Sequence, residues 1–291
     1  MNILSRDKQI EILCALCEGV GVRAAARLAG VNRGTVASLA LRIGQGCARL
    51  HDGTMAGLRV ARLEIDELWQ YVGKKQKNVT REDSNALGDQ WTFIALGSSS
   101  KAIISYMTGK RNGETTHQFI RDLRERVIGA PEISSDGLRY YGPAIREAFG
   151  NKVAYGKITK TYSVTHLAKE AGGRYSPAQV IAVDREVVSG VPAEISTSYV
   201  ERSHLTLRMS SKRFARLSNG FSKRLEHHSA AVSLYVAYYN FCRPHEAHRT
   251  TPAVALGLSD HVWSVGELLD AAMKKAPPKR KRFRVVDGGK E

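Results

Sequence analysis

The sequence predicts an α/β protein: a mixed five-stranded sheet with helices on both faces, preceded by a small all-α region. Three observations lead to this fold class. Residues 60–72 alternate apolar and charged side chains, which is the period of a half-buried strand. Apolar stretches bounded by turn residues then alternate with segments of helical period. Helical segments come before the first strand, one over 5–18 and a pair over 22–43 that is divided by a turn at Gly30.

The order of elements after residue 60 is three strands, then helix, strand, helix, strand and helix. The first three strands form an antiparallel meander, because short polar segments connect them. The later strands are separated by helices, which favours parallel neighbours in the same sheet. The remaining predicted strands are 91–97, 101–108, 132–136 and 152–155, and the predicted helices are 114–127, 138–149, 197–217 and 229–241.

The charge balance of the chain indicates a polyanionic partner. The 291 residues are 43% hydrophobic, and they carry a net charge of +16 with a pI of about 9.8. Either nucleic acid or an anionic membrane surface would suit such a chain. No apolar run approaches the roughly 20 residues of a membrane span, and the N-terminus lacks the pattern of a signal peptide. We therefore expect nucleic acid, no membrane and, with four cysteines, a reducing cytoplasm.

The N-terminal segment has the pattern of a helix-turn-helix. An Ala-rich helix ends at Gly30, and Asn32 caps a second helix that runs to about Ile43. The alternative is an ordinary three-helix cap. Cys14 and Cys17 lie on the apolar side of the first helix, so we expect them in the core and not on zinc. The residues predicted to face DNA are Asn32, Arg33, Thr35, Ser38 and Arg42.

Four parts follow from these patterns. We expect a helix-turn-helix domain over 1–44 and a linker over 45–59, where Gly and small polar residues are frequent. The α/β domain would span 60–260, with an insertion at about 163–196. A helix and a basic tail would occupy 261–291.

Acidic residues cluster on the first strand, although the chain is strongly basic. Glu64, Asp66 and Glu67 fall within four positions, and clustered carboxylates are what a hard cation such as Mg²⁺ selects. The alternative is a solvated strand edge. Asp136 ends the fourth strand and precedes Gly137, which would also suit a simple turn.

Ligands of open sheets collect beyond the ends of adjacent parallel strands, so we expect Asp66 and Asp136 to lie together. Asp184 is a rival for the second position, ranked lower because no glycine follows it.

The predicted helix over 197–217 carries a third acidic residue. Helical spacing places Glu201, His204 and Arg208 on one face, at i, i+3 and i+7. A carboxylate beside two basic side chains suits a metal and a phosphate, whereas the alternative is a solvated amphipathic face.

Four segments carry a resemblance to a known family. They are Ile65-Asp66-Glu67-Leu68-Trp69, Ser135-Asp136-Gly137 with the residues to Tyr141, Val200-Glu201-Arg202-Ser203-His204 with those to Arg208, and Tyr238-Tyr239-Asn240 through His245 with Thr251-Pro252. In this order they resemble DDE-type insertion-sequence transposases of the ribonuclease-H-like and retroviral integrase superfamily, most of all the insertion-sequence-one family. The resemblance covers roughly residues 20–260. Two features depart from it: the N-terminus has no zinc ribbon, and the 64 residues between Asp136 and Glu201 imply an insertion.

The resemblance implies a catalytic and metal-binding triad of Asp66, Asp136 and Glu201, with Arg208 as an associated basic residue. Two Mg²⁺ ions, with Mn²⁺ as a substitute, would serve cleavage at the ends of an element and strand transfer into target DNA. The partners would be double-stranded DNA and further copies of the chain, in a homo-oligomer that forms on DNA, within a prokaryotic cytoplasm and associated with the nucleoid.

Basic residues would hold the DNA backbone around that site. His204 and Arg208 would orient the scissile phosphate, and flanking contacts would come from Lys157, Lys160, Lys212, Arg213, Lys223 and Arg224. Two alternatives stay open at this point: a metal-dependent nuclease that cleaves without joining, and a DNA-binding regulator with an inactive transposase-derived domain.

Overall fold

The computed structural model describes residues 4–151, 153–162, 180–215 and 218–274. Its centre is a mixed sheet in the order β3-β2-β1-β4-β5-β6. The strands are β1 (Arg62–Val72), β2 (Gly88–Gly97), β3 (Ile103–Gly109), β4 (Glu132–Asp136), β5 (Tyr155–Tyr162) and β6 (Val180–Ser189). The first five strands have the ribonuclease-H-like order, so the predicted fold class is confirmed.

A sixth strand extends the predicted five-stranded sheet. We predicted a short fifth strand over 152–155 and an insertion at about 163–196, but β5 extends to Tyr162 and pairs antiparallel with β6, which lies within the predicted insertion. Within that predicted insertion, residues 163–179 lie outside the described residues, as does the predicted basic tail from 275 onward.

The pairing of β1 with β4 decides where the acidic residues meet. β1 is antiparallel to β2 but parallel to β4, and the last pair of that parallel ladder joins Ile65 to Ser135. β4 ends one residue later, at Asp136, whereas β1 continues to Val72. Asp66 and Asp136 therefore follow the same ladder pair and lie side by side at the carboxyl end of β4.

Helices cover both faces of the sheet. On one face, α4 (Gly113–Arg126) and α5 (Tyr141–Phe149) pack their apolar side chains on β1 and β2, where Phe93 contacts Phe119 with ring centroids 5.6 Å apart. On the other face, α6 (Ser198–Ser210) and α7 (Leu225–Phe241) bury Leu68 and Ile94. Two further helices close the described part, α8 (Pro252–Ala255) and α9 (Val265–Met273).

Three helices precede β1, as predicted. They are α1 (Arg6–Cys17), α2 (Val22–Ala29) and α3 (Arg33–Thr54). Gly30 adopts a φ of 66°, a left-handed conformation that lets the chain turn sharply between α2 and α3. The side chain of Asn32 caps α3 by accepting the Gly34 N–H at 2.7 Å. Of the two cysteines of α1, Cys17 is buried in the core and Cys14 is half-buried.

The predicted end of the second helix at Ile43 and the linker over 45–59 are wrong for residues 45–54, which continue α3. We expected a linker because glycines are frequent there. A Cβ on Gly44 would stand 2.1 Å from the carbonyl oxygen of Ala230, and one on Gly46 would stand 2.1 Å from that of Ala272. Glycine at these positions lets α3 cross α7 and α9 at backbone contact. The N-terminal helices therefore share a core with the α/β part.

None of the described helices combines the length and the apolar character that crossing a bilayer requires.

Candidate active site

Asp66 and Asp136 lie together at the edge where β4 ends. Asp66 Oδ1 accepts the backbone N–H of Glu67 at 2.8 Å, and Asp136 Oδ1 accepts the N–H of Leu138 at 3.1 Å. The second bond is an Asx-type turn, which holds the Asp136 side chain as the chain leaves the strand. Carboxylate oxygens of Asp66, Glu67 and Asp136 all lie within 4.8 Å of one another.

Glu67 is the member of this group for which we predicted no role beyond its place in the acidic cluster. Its carboxylate accepts the Tyr141 hydroxyl at 2.8 Å and the Arg111 Nε–H at 2.6 Å. The guanidinium of Arg111 also lies 3.6 Å from Asp136 Oδ2. Nothing in the sequence singles out Arg111, because its contact spans 44 residues.

The electrostatics of the group disfavour three ionised carboxylates. Burial, followed by the charges of Asp136 and Glu67, raises the pKa of Asp66 well above its usual range. Burial also raises the pKa of Glu67 and of Asp136. Arg111 offsets part of this repulsion. A hard cation would offset more of it, since carboxylate oxygens are the ligands that Mg²⁺ prefers.

Glu201 lines the same cleft, from helix α6. It lies in the first turn of α6, where it forms an ion pair with Lys160 and accepts the Thr197 hydroxyl at 2.7 Å. Asp66, Asp136 and Glu201 all line one cleft of about 650 Å³. The carboxylate of Glu201 is not a member of the 4.8 Å group among the described residues.

His204 and Arg208 line the cleft on the next two turns of α6. The side chain of His204 is only 10% exposed, and its Nδ1 lies 3.3 Å from Asp66 Oδ2. Burial and the charge of Arg208 lower the pKa of His204 to about 3, so the ring is neutral at pH 7. We predicted a phosphate contact for His204, but the structure makes it a buried partner of Asp66. Arg208 is half-buried and donates to the carbonyl oxygen of Phe214 at 3.3 Å.

Aromatic side chains continue the cleft beyond the carboxylates. Trp69 and Trp91 stand opposite each other on β1 and β2 and line the cleft. The guanidinium of Arg111 lies over the Trp91 ring, 4.8 Å from its centroid. Farther along β1, the Tyr71 ring contacts that of Phe221 at 4.6 Å. Trp69 and Tyr71 belong to the alternating segment over 60–72, but the sequence does not reveal that aromatic side chains border the acidic group.

The predicted basic contacts around the cleft differ in how free they are. Lys157 pairs with Glu186 at 2.9 Å, and Lys160 pairs with Glu201. Arg213 is half-buried, and burial lowers its pKa; its guanidinium donates to Ser222 Oγ at 3.1 Å. We therefore correct Arg213 from an open backbone contact to an internal one.

Three predicted contacts remain exposed. Lys212 is exposed, Lys223 lies over the Phe221 ring at 3.1 Å, and Arg224 lies 3.7 Å from Glu226. The residues on the second helical segment, Asn32, Arg33, Thr35, Ser38 and Arg42, are likewise exposed on the outer side of α3. The rival carboxylate Asp184 is exposed on β6, opposite Thr159, and does not belong to the acidic group.

Comparisons with known proteins identify one curated relative. No protein-family profile matches the chain. The chain is 24% identical over 178 residues to the insertion element iso-IS1n protein InsB of Shigella dysenteriae, a match that covers 61% of this chain and 95% of that protein. This relative confirms the resemblance to an insertion-sequence transposase that the four sequence segments indicate.

Among the solved structures that match, two transposase complexes show low similarity to this chain. The piggyBac transposase synaptic complex with hairpin DNA matches with a TM-score of 0.38 and 12% identity, covering 92% of this chain and 69% of that one. The Mos1 strand transfer complex matches with a TM-score of 0.23 and 14% identity, covering 80% and 78%.

Proposed function

We propose that this relative of insertion-element transposases binds the ends of a DNA element, cleaves a strand at each end and joins it to target DNA. The observation that carries the proposal is that Asp66, Asp136 and Glu201 all line one cleft, although 135 residues separate the first from the last. Three acidic side chains that converge from β1, β4 and α6 within a chain of net charge +16 suit phosphoryl transfer on a polyanion.

The donors in the cleft fit a divalent cation. They are hard carboxylate oxygens. Burial, followed by the charges of Asp136 and Glu67, raises the pKa of Asp66, and a bound dication would relieve the repulsion among these carboxylates. We propose that Asp66, Asp136 and Glu201 hold Mg²⁺, for which Mn²⁺ substitutes, and that Glu67 lies within reach as a further oxygen donor. The chemistry that bound Mg²⁺ supplies is activation of a water or 3′-hydroxyl and neutralisation of charge on the phosphate.

The side chains around the carboxylates have separate tasks. His204 is neutral and lies against Asp66, so we propose that it orients that carboxylate. Arg208 and Lys160 place positive charge in the cleft, where a phosphate of the bound strand would lie. The faces of Trp69 and Trp91 suit stacking on bases next to that phosphate.

The exposed outer side of α3 is the proposed reader of element ends. Asn32, Arg33, Thr35, Ser38 and Arg42 would enter the major groove of duplex DNA, and the exposed Lys212, Lys223 and Arg224 would add backbone contacts. Cutting and joining two ends requires two active sites, so we propose a homo-oligomer that forms on DNA.

Replacing Asp136 tests this function. Asp136→Asn keeps the size of the side chain and the oxygen that accepts the Leu138 N–H, but it removes a charge from the acidic group. We expect loss of both strand cleavage and strand transfer in a plasmid integration assay with paired element ends, with DNA-end binding nearly unchanged. Asp184→Asn, which changes an exposed carboxylate outside the group, is the matched control and should retain activity.

The outcomes separate the alternatives. Cleavage without joining by the wild-type chain would indicate a nuclease, and binding without either reaction would indicate a regulator. Full activity of Asp136→Asn, with loss in Asp184→Asn, would contradict the proposed triad.

A further inference from the structure

Glu64 is a buried carboxylate that the proposed chemistry does not use. It lies on β1, two residues before Asp66, and is only 2% exposed. Its Oε2 accepts the backbone N–H groups of Tyr199 at 2.8 Å and Val200 at 3.0 Å. These residues are the second and third of α6, and they directly precede Glu201. A side chain of the central strand therefore binds the start of the helix that carries the third acidic residue of the cleft.

At this end of the helix, Ser196 Oγ accepts the N–H of Ser198 at 3.3 Å, and Glu64 accepts the next two N–H groups. Its N-cap residue, Thr197, makes no capping bond, because its hydroxyl donates to Glu201 Oε1 at 2.7 Å. The free N–H groups of a helix start normally bond to the side chain of the N-cap residue itself. Here Glu64, 135 residues away, supplies the acceptor, and its negative charge also suits the positive end of the helix dipole.

Neighbouring contacts fix the same junction. The backbone N–H of Ser196 donates to Ser134 Oγ on β4 at 3.3 Å. The ammonium group of Lys101 lies over the Tyr199 ring, 3.0 Å from its centroid, and places a positive charge near the buried carboxylate. The start of α6 is thus attached to the two strands that carry Asp66 and Asp136.

We propose that Glu64 is a positioning residue, which fixes the first turn of α6 on β1 and thereby sets the place of Glu201 relative to Asp66. The inference rests on the proposed function in so far as Glu201 takes part in holding the metal. Strand β1 would then carry Asp66 itself and, through Glu64, also hold the helix that carries Glu201. An error of 1 Å in such an arrangement is enough to weaken a metal site.

Three variants test the inference through Mn²⁺ affinity, which is measured on the full chain without DNA by electron paramagnetic resonance. Glu64→Leu removes the acceptor, and we expect the dissociation constant to rise at least about tenfold. Glu64→Gln keeps an acceptor oxygen and should stay within about threefold of the wild type. Ser264→Ala removes the cap of α9, where Ser264 Oγ accepts the Glu267 N–H at 3.2 Å, and it serves as the control away from the cleft.

The unfolding midpoint in urea with EDTA, measured for each variant, separates positioning from stability. Glu64→Leu and Ser264→Ala each lose a helix cap, so both should be less stable, but only Glu64→Leu should bind Mn²⁺ more weakly. If Glu64→Leu does not fold, Glu64→Asp takes its place, because it keeps the charge but shortens the reach by one methylene. We expect at least a fivefold rise for it.

Unchanged Mn²⁺ affinity in the folded Leu or Asp variant would overturn the inference, and so would an equal loss of affinity in Ser264→Ala. The Mn²⁺ titration does not depend on DNA chemistry. If the wild type binds Mn²⁺ but neither cleaves nor joins DNA, the proposed function is contradicted. The Mn²⁺ affinities of the variants would still decide the role of Glu64.

Discussion

Replacing Asp66 by Asn is expected to stabilise the fold while it removes the metal response. The carboxylate oxygens of Asp66, Glu67 and Asp136 lie within 4.8 Å of one another, and two unit charges at that limit repel by about 3.5 kcal/mol at an effective dielectric constant of about 20. Asp66 has two such neighbours, and Arg111 offsets part of the repulsion through Glu67 and Asp136. We therefore expect Asp66→Asn to gain about 2 kcal/mol in the free energy of unfolding when divalent cations are absent.

The amide fits the contacts of the carboxylate. Its oxygen can accept the Glu67 N–H, and its NH₂ group can donate to Nδ1 of the neutral His204 ring. The gain should therefore not be cancelled by a lost hydrogen bond. The stabilisation by Mg²⁺ should be lost in the variant. With a dissociation constant of about 1 mM, 10 mM Mg²⁺ would stabilise the wild type by about 1.4 kcal/mol and Asp66→Asn by almost nothing.

Urea denaturation measures both effects. The wild type, Asp66→Asn and the control Asp184→Asn are unfolded in EDTA and in 10 mM Mg²⁺ at matched ionic strength. The control should follow the wild type within about 0.5 kcal/mol, because Asp184 is exposed. An Asp66→Asn chain that is less stable than the wild type in EDTA, or that keeps the full Mg²⁺ response, would refute the electrostatic account of the cleft.

Three further predictions concern other parts of the chain. Burial lowers the pKa of His51 to about 3 from an ordinary value of 6.5, so its contribution to stability is complete above pH 6.5 and is lost as the pH falls toward 3. Acidification from pH 7 to 5 should lower the free energy of unfolding by about 2 kcal/mol through this residue. Urea denaturation at both pH values should show a smaller decrease for His51→Gln than for the wild type. An equal decrease would contradict the view that His51 is buried in its neutral form. Gly44→Ala places a Cβ 2.1 Å from the Ala230 carbonyl oxygen and should destabilise the fold by about 2–3 kcal/mol. A Cβ on Gly53 has no neighbour within 4 Å, so Gly53→Ala should stabilise α3 by about 0.5–1 kcal/mol. Thermal melting temperatures that shift in the same direction for Gly44→Ala and Gly53→Ala would contradict the close contact of Gly44 with α7. Arg33→Ala should weaken binding to element ends and lower the slope of log affinity against log salt by about 1, measured by fluorescence anisotropy; an unchanged slope would remove Arg33 from the DNA contacts.

The sequence predicted the order of strands and helices because that information is local. Alternation along residues 60–72 and the helical spacing of Glu201, His204 and Arg208 are periodicities of neighbouring residues, and both elements are present. The meeting of Asp66 with Asp136 also followed, since element order makes β1 and β4 adjacent and parallel. The resemblance to a transposase rested on the same short segments.

The helical continuation of α3 could not be predicted in this way. Residues 45–54 contain the glycines of a linker, and only the contacts of Gly44 and Gly46 with α7 and α9 explain why those glycines lie within a helix. The glycine content of this stretch by itself favours the end of the helix, but packing against distant helices outweighs that local preference.

The sequence by itself therefore determined the acidic, basic and apolar pattern of each element. It also determined the end of the parallel strands at which Asp66 and Asp136 lie together. Only the tertiary structure decided how each charged group is used. It buried His204 against Asp66, placed Arg111 beside Glu67 and attached Glu64 to the start of α6. Desolvation and hydrogen bonding act through space, so the partner of a buried charge can lie more than 100 residues away and leaves no periodic signal in the chain.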